Sequence, residues 1–195
     1  MPALFELTLH LPDWLPGWLA SRPGTFSRPE DRMRLAIDLA RENVERGTGG
    51  PFGAAVFERT SGRLVSATVN TVLSNQTSIA HAETLALALA QQEVGSYTLG
   101  ADHLPSMELI ASSQPCVQCF GNTWWSGVKG LIIGARATDV EELTGFQEGP
   151  LPPEWDTLLG ERPAPLSPIE AVSYTHLRAH ETYLLISYAV FCLKK

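Results

Sequence analysis

Apolar residues recur at helical spacing in the first half of the chain. The clearest such stretch begins near Pro29 and ends at Gly47, and its apolar positions lie three or four residues apart: Met33, Ala36, Ile37, Ala40 and Val44. Ser27 and Glu30 match a capping box, and Pro29 suits the first helical position. This pattern therefore predicts a first helix over about 29–46.

Further along, β-prone runs alternate with helical ones. Residues 52–57 and 64–72 predict a hairpin, because a Ser-Gly turn separates them. The sequence then predicts a helix at 81–93, a strand at 107–112, a helix at 116–126, a strand at 130–135 and a fourth helix capped by Thr138 and Asp139. Because each helix must cover a face of the sheet, we expect an α/β protein, a three-layer α/β/α sandwich with a mixed central sheet.

The length of 195 residues fits one domain. Residues 1–28 hold four prolines and predict an irregular N-terminal arm, and residues 29–160 form the predicted domain. The Pro-rich stretch 145–168 is expected to cross the surface without adding a strand, and 161–172 to be a truncated C-terminal segment. Residues 173–195 change character abruptly and begin like translated sequencing-adapter sequence, so we interpret them as a non-native tail.

The amino-acid composition limits the kinds of molecule that the chain is expected to bind. The chain has 14 Lys and Arg against 21 Asp and Glu, and this net charge of −7 disfavours nucleic acid as a ligand. No apolar run approaches the roughly 18 residues of a membrane span. Three cysteines, two of them in a C-x-x-C pair, do not suit a secreted disulfide framework. We expect a cytoplasmic protein that binds a small, nearly uncharged molecule.

Two short motifs carry the candidate chemistry, and each lies at the start of a predicted helix. His81 and Glu83 form H-x-E, and about thirty residues later Cys116 and Cys119 form P-C-x-x-C. Cysteines in the first turn of a helix ionise readily, and residues three apart share one face. With His81 they make three ligands for Zn²⁺ and leave the fourth tetrahedral position to water, as in catalytic sites. Glu83 would then carry protons.

Other interpretations of these residues are possible. A C-x-x-C pair alone suits a redox pair or a fragment of a zinc knuckle, although its position here is not the one found in thioredoxin-like folds. The combination H-x-E with P-C-x-x-C is far more specific and is recognised as the signature of zinc deaminases. A non-catalytic, zinc-stabilised interaction domain remains an alternative, but a structural site has no need of the carboxylate of Glu83.

Residues 28–150 resemble the cytidine deaminase-like superfamily, and within it the bacterial guanine deaminases and transfer-RNA adenosine deaminases. The motifs are P-F-G-A at 51–54, Asn70, A-H-A-E at 80–83 and S-S-Q-P-C-V-Q-C at 112–119. The resemblance implies that Asn70 binds the base or sugar and that Phe52 packs on the ring. It also implies that the backbone around Ala82 and Ser113 touches the substrate, and that the protein is a homodimer.

Two further residues favour guanine within this resemblance. Trp125 lies six residues after Cys119, where guanine deaminases have an aromatic residue in the purine pocket. Glu148 follows Gly145-Phe146, where their acidic residue reads the purine edge. As alternatives, Trp125 is a core residue and Glu148 is a solvated loop charge.

The chain departs from the family pattern at several positions. Gln114 stands where Glu is common, Thr77 where Asp is frequent and Asn122 where Ala is often found, and the usual C-terminal helix is missing or overwritten by the tail. We expect a zinc-dependent hydrolytic deaminase of a nucleobase or nucleoside, with guanine or a related 2-aminopurine favoured. Cytosine or cytidine deamination and transfer-RNA adenosine deamination are the alternatives.

Overall fold

A central sheet with helices on both faces makes up the part of the chain that the structure describes, residues 7–145, 149–162 and 170–173 of a computed structural model. Its elements in chain order are α1 (Trp14–Ala20), α2 (Pro29–Glu45), β1 (Gly53–Glu58), β2 (Leu64–Val69), α3 (Val72–Asn75), α4 (Ala82–Glu93), β3 (Met107–Ser113), α5 (Val117–Ser126), β4 (Gly130–Ala135), α6 (Ala137–Thr144), α7 (Trp155–Gly160) and β5 (Glu170–Ser173).

The sheet is mixed, and its five strands lie in the order β2-β1-β3-β4-β5. β1 is antiparallel to both of its neighbours, β2 and β3. β3, β4 and β5 are parallel to one another. The predicted mixed sheet is therefore confirmed, and its fifth strand was not expected from the sequence.

Successive residues of β1 point to opposite faces of the sheet, and each face has its own apolar core. Ala54 and Val56 pack in a cluster with residues of α4 and α7. Ala55 and Phe57 pack in a second cluster with Leu15 of α1 and the apolar positions of α2. The sheet is thus covered on both faces, which makes the predicted three-layer sandwich.

The start of α2 differs from the predicted capping box. Arg28 is the N-cap, and its side chain makes no capping hydrogen bond. A residue that precedes proline is confined to extended backbone, and Arg28 has φ −101° and ψ 135°. Pro29 therefore sets the helix start, and Ser27 lies outside it. The start of α6 also differs, since Arg136 is the N-cap and Asp139 accepts a hydrogen bond from the Arg136 amide.

The expected irregular arm is wrong for residues 14–20, which form α1. Leu15 is buried, and the rings of Trp14 and Trp18 meet edge to face at 6.1 Å. Pro16 lies in the first turn, where the helix needs no amide donor from it. Upstream of α1, the backbone of His10 exchanges two hydrogen bonds with the side chain of Asn75.

The stretch that was expected only to cross the surface contains α7. Leu159 in this helix is fully buried, and the Arg162 guanidinium lies 5.7 Å from the Trp124 ring. β5 ends at Ser173, the first residue of the expected tail, while residues 174–195 and most of 161–172 lie outside the described residues. Among the helices of the described ranges, none has the length and apolar character that crossing a membrane requires.

A buried ion pair joins α2 to the start of β3. Arg32 and Glu108 are only 4% and 5% exposed, and an Nη1 hydrogen of Arg32 is donated to the Glu108 carboxylate. Arg32 Nε also donates to the Phe26 carbonyl, and its guanidinium lies over the Phe57 ring. The second carboxylate oxygen of Glu108 is 3.6 Å from Arg59 Nε. These contacts offset the desolvation of both charges.

Arg32→Met should lower the free energy of unfolding by about 3 kcal/mol, because within the described ranges it leaves the buried Glu108 charge with only the longer Arg59 ion pair. Chemical denaturation of the purified variant measures this. The matched control is Arg28→Met, which removes an ion pair whose Arg28 side chain is 69% exposed and should cost less than about 1 kcal/mol. Equal losses in the two variants would contradict the prediction.

Candidate active site and metal centre

The N-caps of α4 and α5 are His81 and Cys116, and both have extended backbone. An N-cap side chain ordinarily accepts a hydrogen bond from the first turn of its helix. Neither His81 nor Cys116 caps its helix in this way. Cys119 lies in the first turn of α5 and is buried. The two helix starts thus carry three side chains with metal-ligating atoms.

The donor atoms of His81, Cys116 and Cys119 converge within 4.8 Å of one another. His81 Nδ1 is 3.5 Å from the sulfur of Cys116 and 3.5 Å from that of Cys119. Zinc at tetrahedral angles, with a Zn–S bond of ~2.3 Å and a Zn–N bond of ~2.0 Å, places nitrogen and sulfur about 3.5 Å apart. These three residues consequently fit zinc, and they would hold it through one nitrogen and two sulfur ligands.

The two thiols of the cluster differ in acidity. A hydrogen bond from Cys119 lowers the pKa of Cys116 to about 4, and the contact with His81 acts in the same direction. That shared proton and burial raise the pKa of Cys119. One sulfur is thus a thiolate at neutral pH, and a bound cation displaces the proton of the other. The pair is chemically suited to a divalent metal.

Glu83 lies in the first turn of α4, beside the cluster, and is 6% exposed. Burial raises the pKa of its carboxyl, and the charge of Cys116 adds to this effect. Its own backbone amide and the neighbouring side chains of His81 and Cys119 act in the opposite direction. A carboxyl whose pKa is raised accepts a proton more readily than an ordinary carboxylate, which suits a group that must both take up and release protons.

Two hydroxyl groups of β2 fix α4 on the sheet. Thr68 Oγ1 donates to the Ala82 carbonyl at 2.6 Å, and Ser66 Oγ donates to the Ala86 carbonyl at 2.7 Å. Residues 66 and 68 share one face of the strand, so both reach the same helix. The sequence analysis missed these contacts, although two hydroxyl residues at alternate positions of an apolar strand were a visible signal.

The residues expected to touch substrate lie at one edge of the sheet. Phe52 precedes β1, Asn70 follows β2, and Ser113 ends β3. The backbone amide of Asn70 donates to the Phe52 carbonyl at 3.0 Å. Ala82 is the first residue of α4, which begins at the same edge. The structure therefore brings these four residues to the end of the sheet that carries the cluster, and their contacts with substrate stay a prediction.

A buried hydrogen-bond network holds Asn70 in place, and the sequence analysis missed it. Asn43 of α2 is fully buried, and its Nδ2 donates to the carbonyls of Gly50 and Asn70, both at 2.8 Å. Thr48 Oγ1 donates to Asn43 Oδ1 at 2.6 Å, and Trp14 Nε1 donates to Thr48 Oγ1 at 3.1 Å. The one signal was a polar residue on the apolar face of a helix.

The structure describes one of the two residues that favoured guanine, Trp125, and does not describe the other, Glu148. Trp125 is 71% exposed, so the interpretation of this residue as part of the core is wrong. It lies on α5, two turns beyond the ligand Cys119. Glu148 lies outside the described residues, and its role stays a prediction.

Comparison with known proteins identifies a family whose members bind zinc, as the geometry of the three ligands indicates. The model of the cytidine and deoxycytidylate deaminase zinc-binding region matches residues 27–135. The chain belongs to this deaminase family. The family suggested by the sequence motifs is therefore confirmed, and the matched region contains both helix starts that carry the metal ligands.

Among the proteins similar to this chain are guanine deaminases. Guanine deaminase of Bacillus subtilis (strain 168) is 32% identical over 136 residues, which are 70% of this chain and 82% of that protein. A structure of guanine deaminase from Nitrosomonas europaea is 41% identical, with a TM-score of 0.86, and the match covers 96% of this chain and 97% of that one. A structure of NE0047 in complex with 2,6-diaminopurine is 41% identical, with a TM-score of 0.85, covering 95% and 93%.

The purified chain should contain about one zinc ion, and Cys116→Ser combined with Cys119→Ser should abolish its retention, because two of three ligands are lost. Mass-spectrometric metal analysis after dialysis measures this. Cys192→Ser is the matched control, since Cys192 lies outside both motifs, and it should keep full zinc content. Zinc retained by the double variant would contradict the assignment.

Proposed function

We propose that this chain is a zinc-dependent hydrolytic deaminase of guanine or a closely related 2-aminopurine. The observation that carries the proposal is the convergence of three zinc-ligating groups with the buried carboxyl of Glu83. The similarity to guanine deaminases, and to a structure that holds 2,6-diaminopurine, supports a 2-aminopurine substrate.

Hydrolytic deamination adds water to the carbon that bears the exocyclic amine, breaks the C–N bond and releases ammonia. Zinc, when bound, supplies Lewis acidity that makes water nucleophilic at neutral pH. Glu83 would take one proton from the attacking water and deliver it to the ring nitrogen. It would then take the second proton from the added hydroxyl, as the C=O bond forms, and pass it to the amine that leaves as ammonia. Its raised pKa suits both directions of transfer.

Four residues at the edge of the sheet are proposed to hold the base. Phe52 packs on the ring, and the side-chain amide of Asn70 both donates and accepts hydrogen bonds. The backbone at Ala82 and Ser113 contacts the base beside the metal. The Asn43 network supports the role of Asn70, because it fixes the backbone from which that amide extends.

Glu148 and Trp125 are proposed to complete the purine site. A carboxylate only accepts hydrogen bonds, so Glu148 suits the N1–H and amine donors of guanine. Adenine has no ring N–H at that edge, and the resulting buried mismatch costs about 1–3 kcal/mol. This difference is the proposed origin of selectivity for guanine.

Ammonia release from a panel of candidate substrates tests the activity. The panel contains guanine, guanosine, adenine, adenosine, cytosine, cytidine and a transfer-RNA anticodon stem-loop. Guanine should give the highest kcat/KM. Glu83→Gln should keep its zinc and lose ~10²–10⁴-fold in turnover, because the amide cannot carry a proton.

Faster turnover of a cytosine-type or adenosine-type substrate would move the proposal to that substrate. No ammonia from any member of the panel by a zinc-loaded protein would favour the non-catalytic, zinc-stabilised domain. Near-normal turnover by Glu83→Gln would assign proton transfer to another group.

We also propose that two copies of the chain form a homodimer through the outer face of α5. Val117, Gly121 and Trp125 lie four residues apart on this helix and so share one face. Val117 is 43% exposed, Trp125 is 71% exposed, and the space beside Gly121 is open. An exposed apolar stripe beside the metal ligands is suited to a second copy of the same chain.

Trp125→Glu should shift the protein from dimer to monomer, because it replaces the most exposed apolar side chain of the stripe with a charge. Light scattering coupled to gel filtration gives the mass. Leu7→Glu is the control, since Leu7 is also highly exposed but lies in the arm, and it should leave the mass unchanged. A monomeric wild type, or a dimeric Trp125→Glu variant, would exclude this interface.

A cytoplasmic location is part of the proposal. Cys116 and Cys119 must remain reduced to bind a metal, and their sulfurs lie close to each other around His81. Reducing compartments keep such thiol pairs free of disulfide. The location therefore follows from the chemistry proposed for the two cysteines.

A further inference from the structure

A hydrogen-bonded chain of three side chains crosses from α5 to α4 and returns to a metal ligand. Asn122 Nδ2 lies 2.7 Å from Thr84 Oγ1. Thr84 Oγ1 in turn lies 3.8 Å from Cys119 Sγ. Thr84 follows Glu83 on α4, and Asn122 lies one turn after Cys119 on α5. The chain thus links the two helices at the level of the cluster.

The chemistry of the three groups sets the direction of these hydrogen bonds. The amide nitrogen of Asn122 can only donate, so Thr84 Oγ1 is the acceptor of that bond. A hydroxyl has one proton, and the Thr84 proton is then free to be donated to the Cys119 sulfur. Among the described residues, no other hydrogen bond engages Thr84 Oγ1. Asn122 therefore directs the Thr84 proton towards the sulfur.

We propose that Thr84, oriented by Asn122, donates a hydrogen bond to the Cys119 sulfur and so positions and tunes this ligand for zinc. Both are positioning residues, since neither belongs to the three-residue metal-ligating group and both act through Cys119. The proposal rests on the metal site and not on the substrate, so it stands or fails separately from guanine deamination. Asn122, which departs from the family pattern, acquires a specific role in this arrangement.

A hydrogen bond to a thiolate stabilises its charge and fixes the direction of its lone pairs. Partners of this kind, beyond the ligands themselves, typically change metal affinity by 10–100-fold. Cys119 is buried and hence shielded from water, so Thr84 replaces a hydrogen bond that solvent cannot supply. Without the Thr84 hydroxyl, we expect the site to bind zinc with lower affinity and the Cys119 sulfur to have a higher electron density.

Cobalt(II) is the probe, because its sulfur-to-metal charge-transfer absorption reports the electron density on the thiolates. Thr84→Val should move this band to lower energy and weaken zinc binding about tenfold in a competition titration with a chromophoric chelator. Thr84→Ser should restore both. Asn122→Asp keeps the size of the side chain but accepts the Thr84 proton, so it should act in the same direction as Thr84→Val.

Thr123→Val is the matched control. Thr123 is a fully buried neighbour whose hydroxyl donates to the Cys119 carbonyl and not to its sulfur. This variant should lower the melting temperature without moving the cobalt band. A Thr84→Val protein with the band and zinc affinity of wild type would overturn the proposal. An equal band shift in Thr123→Val would also overturn it, since the effect would then be loss of packing.

Discussion

Both α4 and α5 begin at the same edge of the sheet, and the direction of the strands makes them do so. β1 is antiparallel to β2 and β3, so β2, β3 and β4 all run in one direction. α4 connects β2 to β3, and α5 connects β3 to β4. A helix that joins two parallel strands starts at the carboxyl edge of the first. Two helix starts, with their positive dipole ends, therefore meet at one place, and His81 and Cys116 are the residues found there.

Local patterns were enough to predict most elements and the metal ligands. β4 has the predicted bounds, because an apolar run ends in polar residues on both sides. Short motifs, each within a single helix turn, were sufficient to identify the metal ligands and the proton carrier: His81, Glu83, Cys116 and Cys119. α1 was missed because Pro16 masks a helical repeat of apolar residues, and β5 was missed because an isolated short strand needs its partner β4 to form.

Polar contacts between distant segments were beyond the sequence analysis. Asn43 and Asn70 are 27 residues apart, and Asn122 and Thr84 are 38 apart, so only the folded chain shows that each pair meets. Amide and hydroxyl side chains are also compatible with solvent positions, and their types alone do not predict burial. The ligands could thus be identified from the sequence, whereas the groups that hold them in position could not.

Backbone proximity around the site limits how the sequence can diverge. A Cβ atom at Gly49 would overlap the Asn70 carbonyl oxygen, and one at Gly53 would overlap the Ala36 carbonyl oxygen. Neither collision can be relieved by a side-chain rotation, because both involve main-chain atoms. Position 49 requires glycine for as long as the loop before β1 lies against Asn70, and position 53 requires it for as long as β1 lies against α2. Two residues without side chains are in this way constrained by main-chain packing alone, independently of the chemistry at the metal ligands.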